Sequence, residues 1–227
     1  MKSRLPFPLL YEDRDLLVID KPTGLLTTHT RAKEENTAEA WLTDYIRKGQ
    51  LRSRLRAWLV HRLDRETSGV MMFAKSEAVA TWLREHWNEV TEKTYLARVE
   101  GTLPAATGVY ESYLRDDPKT MKVSSVADPK FGKLARTEWR RRSECDGTTL
   151  VEVTLKSGRK NQIRVHFSEA GHPIVGDVKY GGMKASRLYL HSFRLRVRHP
   201  HTQQWMTFES PASLGENVHR RPGISVA

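Results

Sequence analysis

Cys145 is the only cysteine in 227 residues. A disulfide within the chain is therefore excluded, and so is a metal site built from thiolates. Long apolar runs are also missing. Hydrophobic residues are 38% of the chain, and no segment approaches the length of a membrane span. The opening MKSRLPFPLLYEDRD holds no apolar stretch of signal-peptide length, and prolines interrupt what there is. These absences point to a soluble, cytoplasmic protein. Internal repeats and low-complexity segments are absent too, so one large domain over residues 1–227 is the expectation.

Acidic residues are scarce. Lys and Arg number 38 against 27 Asp and Glu, a net charge of +11. A surplus of this size favours a polyanion, because each phosphate contact releases counterions. The basic residues cluster. Arg47, Lys48, Arg52, Arg54, Arg56, Arg62 and Arg65 are accompanied by one acid, Asp64. Arg136, Arg140, Arg141 and Arg142 form a second group. Arg194, Arg196 and Arg198 alternate along a strand-like stretch, which puts them on one face. The pattern suggests a nucleic-acid footprint rather than a solvated helix face, where more acids would intervene.

Periodicity predicts an α+β chain without regular strand–helix alternation. Strands are expected at 16–19, 70–74, 93–100, 148–156, 187–197 and 204–209. Helices are expected at 36–49, capped by Asn36 and stopped near Gly49, at 77–90, capped by Ser76, and at about 160–170. Residues 101–135 read as hairpins and loops. The polar stretch 212–227 reads as a loosely ordered tail.

The segment HRLDRETSGV, residues 61–70, sets Asp64 between Arg62 and Arg65 and before the turn-like Thr67-Ser68-Gly69. A carboxylate among arginines stays ionised, which suits an ion pair, a metal ligand or a nucleophile. His61 lies three residues from Asp64, but no second His/Asp pair completes a metal site. A glycosidase would need a second carboxylate, and Glu66 is poorly spaced for it. Gly158, Arg159 and Lys160 fall at a predicted helix start, a natural anion site, and Arg164 lies one turn beyond Lys160. His166 and His172 read as satisfied structural histidines. Tyr95 reads as a strand tyrosine that becomes informative only beside a flat base.

These motifs together resemble the RluA-type pseudouridine synthases. The signature is HRLDRETSG. LLVIDKPTGLLTT, EKTYLARVEG, KTMKVS, GKLARTEW, GRKNQIRVHFSEAGHPIVGDVKYG and RLYLHSFRLRVRHP match in the family's order over about residues 9–211. The resemblance implies a pseudouridine synthase catalytic fold: a long mixed, mostly antiparallel sheet with flanking helices around a central RNA cleft. It implies isomerisation of uridine in ribosomal or transfer RNA. Asp64 corresponds to the catalytic aspartate, Tyr95 to the tyrosine on the target uracil, and Arg164 to the arginine that pairs with the aspartate. Arg62, Arg159, Lys160 and Gln162 are expected to serve RNA binding and base displacement, Arg62 by helping to push the base from its helix.

The family implies no metal and no organic cofactor. The expected partner is a structured RNA stem-loop, with no membrane and a monomeric protein. The S4-type RNA-binding module of many members is not expected here. Asn161 stands where many members have histidine, and Tyr113 where proline is common. The alternative on the same fold is a non-catalytic RNA-binding or ribosome-assembly protein.

Overall fold

The computed structural model describes residues 5–29, 36–50, 52–212, 214 and 224–226. In chain order the elements are β1 (Leu9–Glu12), β2 (Leu16–Lys21), α1 (Ala38–Arg47), β3 (Trp58–Leu59), β4 (Ser68–Ala74) and α2 (Glu77–Val90). Then come β5 (Thr91–Glu100), β6 (Thr107–Asp117), β7 (Lys122–Val126), β8 (Lys133–Cys145), β9 (Thr148–Leu155) and α3 (Gln162–Glu169). The chain closes with β10 (Leu190–Arg198), β11 (Trp205–Glu209) and β12 (Ile224–Val226). The fold is α+β, and the residues gather into two compact units.

The first unit holds residues up to Thr91, together with Ser192–Ala212 and the last strand. Its strands run in the order β1-β2-β4-β10, with β11 on β10 and β12 on β11. β2 and β4 pair antiparallel, Lys21 opposite Gly69 and Leu16 opposite Ala74. All seven residues of β4 are buried, so its apolar run is that of a strand covered on both faces. Leu16, Val18, Val70, Met72, Leu83, Val197 and Phe208 share one core. α2 starts as expected: Ser76 Oγ accepts from the Val79 N–H at 3.3 Å.

Two helix and turn expectations are revised. The cap of α1 is Thr37, whose Oγ1 accepts from Ala40 N–H at 3.1 Å. Asn36 is engaged elsewhere, its Oδ1 accepting from Trp41 Nε1 at 2.9 Å. The turn after Asp64 is not Thr67-Ser68-Gly69. Thr67 N–H closes a turn on the Asp64 carbonyl at 3.1 Å, and Ser68 and Gly69 already belong to β4. Gly69 is required there. Its φ is +110°, and a Cβ would lie 2.2 Å from the Ser192 carbonyl oxygen.

The tail is also revised in part. Residues 213, 215–223 and 227 lie outside the described residues. Ile224–Val226, however, pairs with β11, Met206 opposite Val226, as the β-branched ISV stretch favours.

The second unit runs from Glu92 to His191 and includes Leu214. Its strands are ordered β5-β9-β8-β6-β7, and each neighbouring pair is antiparallel. α3 packs on β6, β7 and β8 through Val165, with Leu114, Val123 and Ala135 forming that core. The 101–135 stretch is the β6–β7 hairpin followed by a short turn at Pro129–Phe131, as its hairpin reading requires.

β8 changes the meaning of the second basic cluster. Arg136 pairs with Glu111 and Glu138, Arg140 and Arg142 with Glu152, and Arg141 with Glu144. A register shift between Arg141 and Ser143 leaves Arg142 as the extra residue of the strand, and it shares Glu152 with Arg140. Glu111 and Glu152 come from the neighbouring strands β6 and β9 and Glu138 and Glu144 from β8 itself, so the cluster is neutralised where it stands.

Candidate active site

Asp64 sits on an irregular loop, half-buried, with Arg62 and Arg65 exposed on either side. What fixes the loop is the turn at 21–27. Thr27 Oγ1 donates to the Leu63 carbonyl at 2.9 Å. The Arg65 carbonyl accepts from the Gly24 N–H at 2.8 Å and from Lys21 Nζ at 3.1 Å. Thr23 Oγ1 donates to the Glu66 carbonyl at 2.7 Å. Arg65 Nε returns a bond to the Gly24 carbonyl at 3.1 Å, which gives this arginine a bracing role. The loop on both sides of Asp64 is thus clasped through main-chain oxygens.

Lys21 is the centre of the clasp. It is fully buried, and its ammonium also donates to the carbonyls of Leu25 at 2.7 Å and Pro22 at 3.0 Å. Convergent carbonyl dipoles replace the water that a buried ammonium loses. The KPTG turn therefore does more than reverse the chain. His61 is structural as well: its Nε2 accepts the Met72 N–H at 3.0 Å, and its ring stacks on Trp87. Nε2 is consequently unprotonated and the hydrogen sits on Nδ1.

The remaining site residues of the sequence reading lie in the second unit. Tyr95 is on β5 opposite Val153 and is 9% exposed. Lys93, two residues earlier, is buried as well. Burial, reinforced by repulsion from the Arg159 guanidinium, brings its pKa from 10.5 down to about 8. Arg159 Nε donates to the Leu134 carbonyl at 3.0 Å. Lys160 and Arg164 do not share a ligand: Lys160 Nζ binds both oxygens of Asp116 at 2.8 Å on the surface. Arg164 is buried and binds Asp177, Nε to Oδ2 and Nη2 to Oδ1, each at 2.7 Å.

Gln162 is a brace. Its Oε1 accepts from Ser157 Oγ at 2.8 Å and Arg159 N–H at 3.0 Å. Its Nε2 donates to the Arg136 carbonyl at 3.0 Å and Thr137 Oγ1 at 2.9 Å. An amide that spends two donors and two acceptances internally holds the 157–161 turn and is not presented to a ligand. Asn161 has φ +52°, a conformation asparagine tolerates better than most residues, and its Nδ2 donates to Tyr180 Oη at 2.9 Å. The departure from histidine at this position thus has a local role.

His166 Nδ1 meets Thr137 Oγ1 at 2.8 Å and its Nε2 meets Ser112 Oγ at 3.0 Å. Burial lowers its pKa, so the ring is held neutral. His172 Nδ1 bonds the Glu100 carbonyl at 2.9 Å. Among the described residues no group of three or more His, Cys, Asp or Glu side chains is arranged to hold a metal. No helix of the described residues is long and apolar enough to cross a membrane.

Sequence reasoning missed two residues around Arg164. Asp177 and Tyr180 stand in the GDVKYG stretch without an assigned role, yet both contact Arg164. The signal was a lone acid between two glycine turns, which acquires meaning only once Arg164 is seen against it.

Comparison with known proteins bears on the family of the chain. Residues 15–169 match the family described as RNA pseudouridylate synthase. A ribosomal large subunit pseudouridine synthase D from Nitrosomonas europaea is 32% identical over 98% of this chain and 68% of its own. This chain thus spans about two thirds of that relative's length. The dual-specificity RNA pseudouridine synthase RluA of Yersinia pestis is 35% identical over 91% of this chain and 99% of its own. The structure of human RNA pseudouridylate synthase domain containing 1 superposes with a TM-score of 0.71. It covers 91% of this chain and 83% of its own at 23% identity, a likeness of fold. The chain belongs to the RNA pseudouridylate synthase family.

Proposed function

We infer that this RNA pseudouridine synthase isomerises uridine in structured ribosomal or transfer RNA, with Asp64 as the catalytic carboxylate. The observation that carries the reading is the clasped loop. A half-buried carboxylate, fixed on both sides by main-chain bonds and flanked by exposed arginines, suits a group that must meet a polyanionic substrate in one orientation. The target base leaves its stack first, at a cost of a few kcal/mol in paired RNA. Arg62, which is exposed, helps to displace it.

Cleavage of N1–C1′ leaves the sugar short of electrons, and the ionised Asp64 stabilises that charge. The detached uracil turns, C5 bonds to C1′, C5 loses its proton and N1 gains one, so the product is an isomer of the substrate. Tyr95 packs on the uracil during the turn, and Arg164 serves as the cation partner of the catalytic carboxylate. Arg159 and Lys160 contribute positive charge toward RNA, and Gln162 holds the turn that carries them. The protein works in the cytoplasm as a monomer, without a metal or organic cofactor.

The test is total RNA from cells lacking this gene, incubated with wild-type protein or with Asp64→Asn and then mapped for pseudouridine. Wild type forms pseudouridine at defined sites, and Asp64→Asn lowers the rate by at least about a thousandfold. Wild type forming none at any site overturns the enzyme reading in favour of RNA binding alone. Release of free uracil identifies a hydrolase instead.

A further inference from the structure

The steps above leave one buried carboxylate without a task. Asp177 is wholly buried and Arg164 nearly so, with side-chain exposures of 0% and 7%. Both Asp177 oxygens engage the guanidinium, one on Nε and one on Nη2. That fork fixes the guanidinium in its own plane. The Tyr180 ring fixes its face, with Arg164 Cζ 5.1 Å from the ring centroid. Tyr180 is itself pinned, because its hydroxyl accepts from Asn161 Nδ2 at 2.9 Å and from the Val123 N–H at 3.0 Å.

The loop that delivers Asp177 is equally constrained. Gly176 has φ +85°, and a Cβ there would lie 1.8 Å from the Arg187 carbonyl oxygen. The Asp177 N–H bonds the Ile174 carbonyl at 2.9 Å. Its carbonyl accepts from the N–H groups of Tyr180 at 3.0 Å and Gly182 at 2.9 Å. A carboxylate this closely held transmits its position to whatever it binds.

We propose that Asp177 is a positioning residue for the isomerisation, setting with Tyr180 the plane and direction in which Arg164 presents its remaining N–H groups. The proposal rests on the reading that Arg164 serves the reaction. An arginine is charged at every working pH, so Asp177 is not needed to make the cation. It is needed to aim it. The fork on Nε and Nη2 fixes the plane of the guanidinium, and with it the directions of its other N–H bonds. A lysine at 164 would keep the charge and lose this geometry.

The experiment uses the full chain and a transcript carrying a uridine mapped as above. Single-turnover rates with saturating enzyme are measured beside RNA affinity for wild type, Asp177→Asn, Asp177→Glu, Arg164→Lys and Asp177→Asn/Arg164→Lys. Asp177→Asn slows the chemical step by about 100-fold while RNA affinity stays within about threefold, since a misplacement near 1 Å costs about that much. Asp177→Glu keeps the charge, displaces the guanidinium and loses at least about tenfold. The double variant falls no more than about threefold below Arg164→Lys, because Asp177 acts through Arg164.

A rate for Asp177→Asn within threefold of wild type overturns the proposal. So does an equal loss in both arginine backgrounds. If Asp177→Asn does not fold, Asp177→Glu and the exchange of the wild-type Arg164 Nε–H with solvent decide. Slow exchange is expected, and exchange as fast as in an exposed arginine overturns the proposal. A wild type that forms no pseudouridine removes the functional reading itself. An active wild type with unaffected Asp177 variants removes this inference alone.

Discussion

Lys93 shows how a single side chain couples folding to pH. Its folded pKa of about 8 lies below the 10.5 of an unfolded lysine. Between those values the unfolded chain binds the extra proton, so this group favours the folded state increasingly as pH rises. Its contribution is complete above 10.5 and is lost as pH falls through 8. Urea unfolding of wild type and Lys93→Met from pH 7 to pH 10.5 measures it. The stability of wild type relative to the variant should climb across that window by up to about 3 kcal/mol. A flat difference would show that burial does not perturb the ammonium. His166 behaves alike at lower pH. Its folded pKa is depressed, so its contribution is present above the unfolded histidine value and declines on acidification below it.

At the scale of elements, two contacts are decisive: the clasp of the 21–27 turn on the loop before β4, and the close approach of β4 to β10 at Gly69. Gly69→Ala introduces a Cβ against the Ser192 carbonyl in a conformation that already requires glycine. The variant should lose about 3 kcal/mol or more. Lys21→Met takes the ammonium from the carbonyls of Pro22, Leu25 and Arg65, of which Arg65 keeps the Gly24 N–H, and should lose about 3 kcal/mol. Denaturant midpoints check both, and an unchanged midpoint for Lys21→Met would mean that water replaces the ammonium. Some elements were legible in the sequence. Helical spacing with a Ser76 cap located α2, and clean alternation of Val151, Val153 and Leu155 located β9. β8 was not, because its buried face is Ala135, Thr137 and Trp139, a pattern that only cross-strand neighbours make apolar. Asp64 was legible through its motif. The clasp of Lys21, Thr23 and Thr27 was not, since hydrogen bonds to carbonyls across about 40 residues leave no trace in spacing.

For the whole molecule the net charge of +11 overstates uniform basicity. The arginines of β8 are matched by Glu111, Glu138, Glu144 and Glu152. Within the 47–65 cluster, Arg56 is paired with Glu39, while Arg52 and Arg54 are exposed. Binding of RNA should therefore depend unequally on residues that look equivalent in sequence. Arg54→Ala should weaken affinity and reduce the slope of log Kd against log salt by about 0.7–0.9, the signature of one lost phosphate contact. Arg140→Ala should leave that slope unchanged. Filter binding at several salt concentrations separates the two, and equal slopes for both variants would show that the β8 ion pairs open on RNA.

The clasp around Asp64 has a further consequence for how such a chain can change over time. Its acceptors at residues 63, 65 and 66 are all main-chain oxygens. Every amino acid carries that carbonyl, so this part of the grip does not depend on which side chains flank Asp64; the bond from Arg65 Nε to the Gly24 carbonyl is the exception. Arg62 and Glu66 can therefore be exchanged while the Asp64 carboxylate stays where the 21–27 turn puts it. In the function proposed above, substrate preference and reactive geometry are thereby carried by separate parts of the same short loop, and the first can drift without disturbing the second.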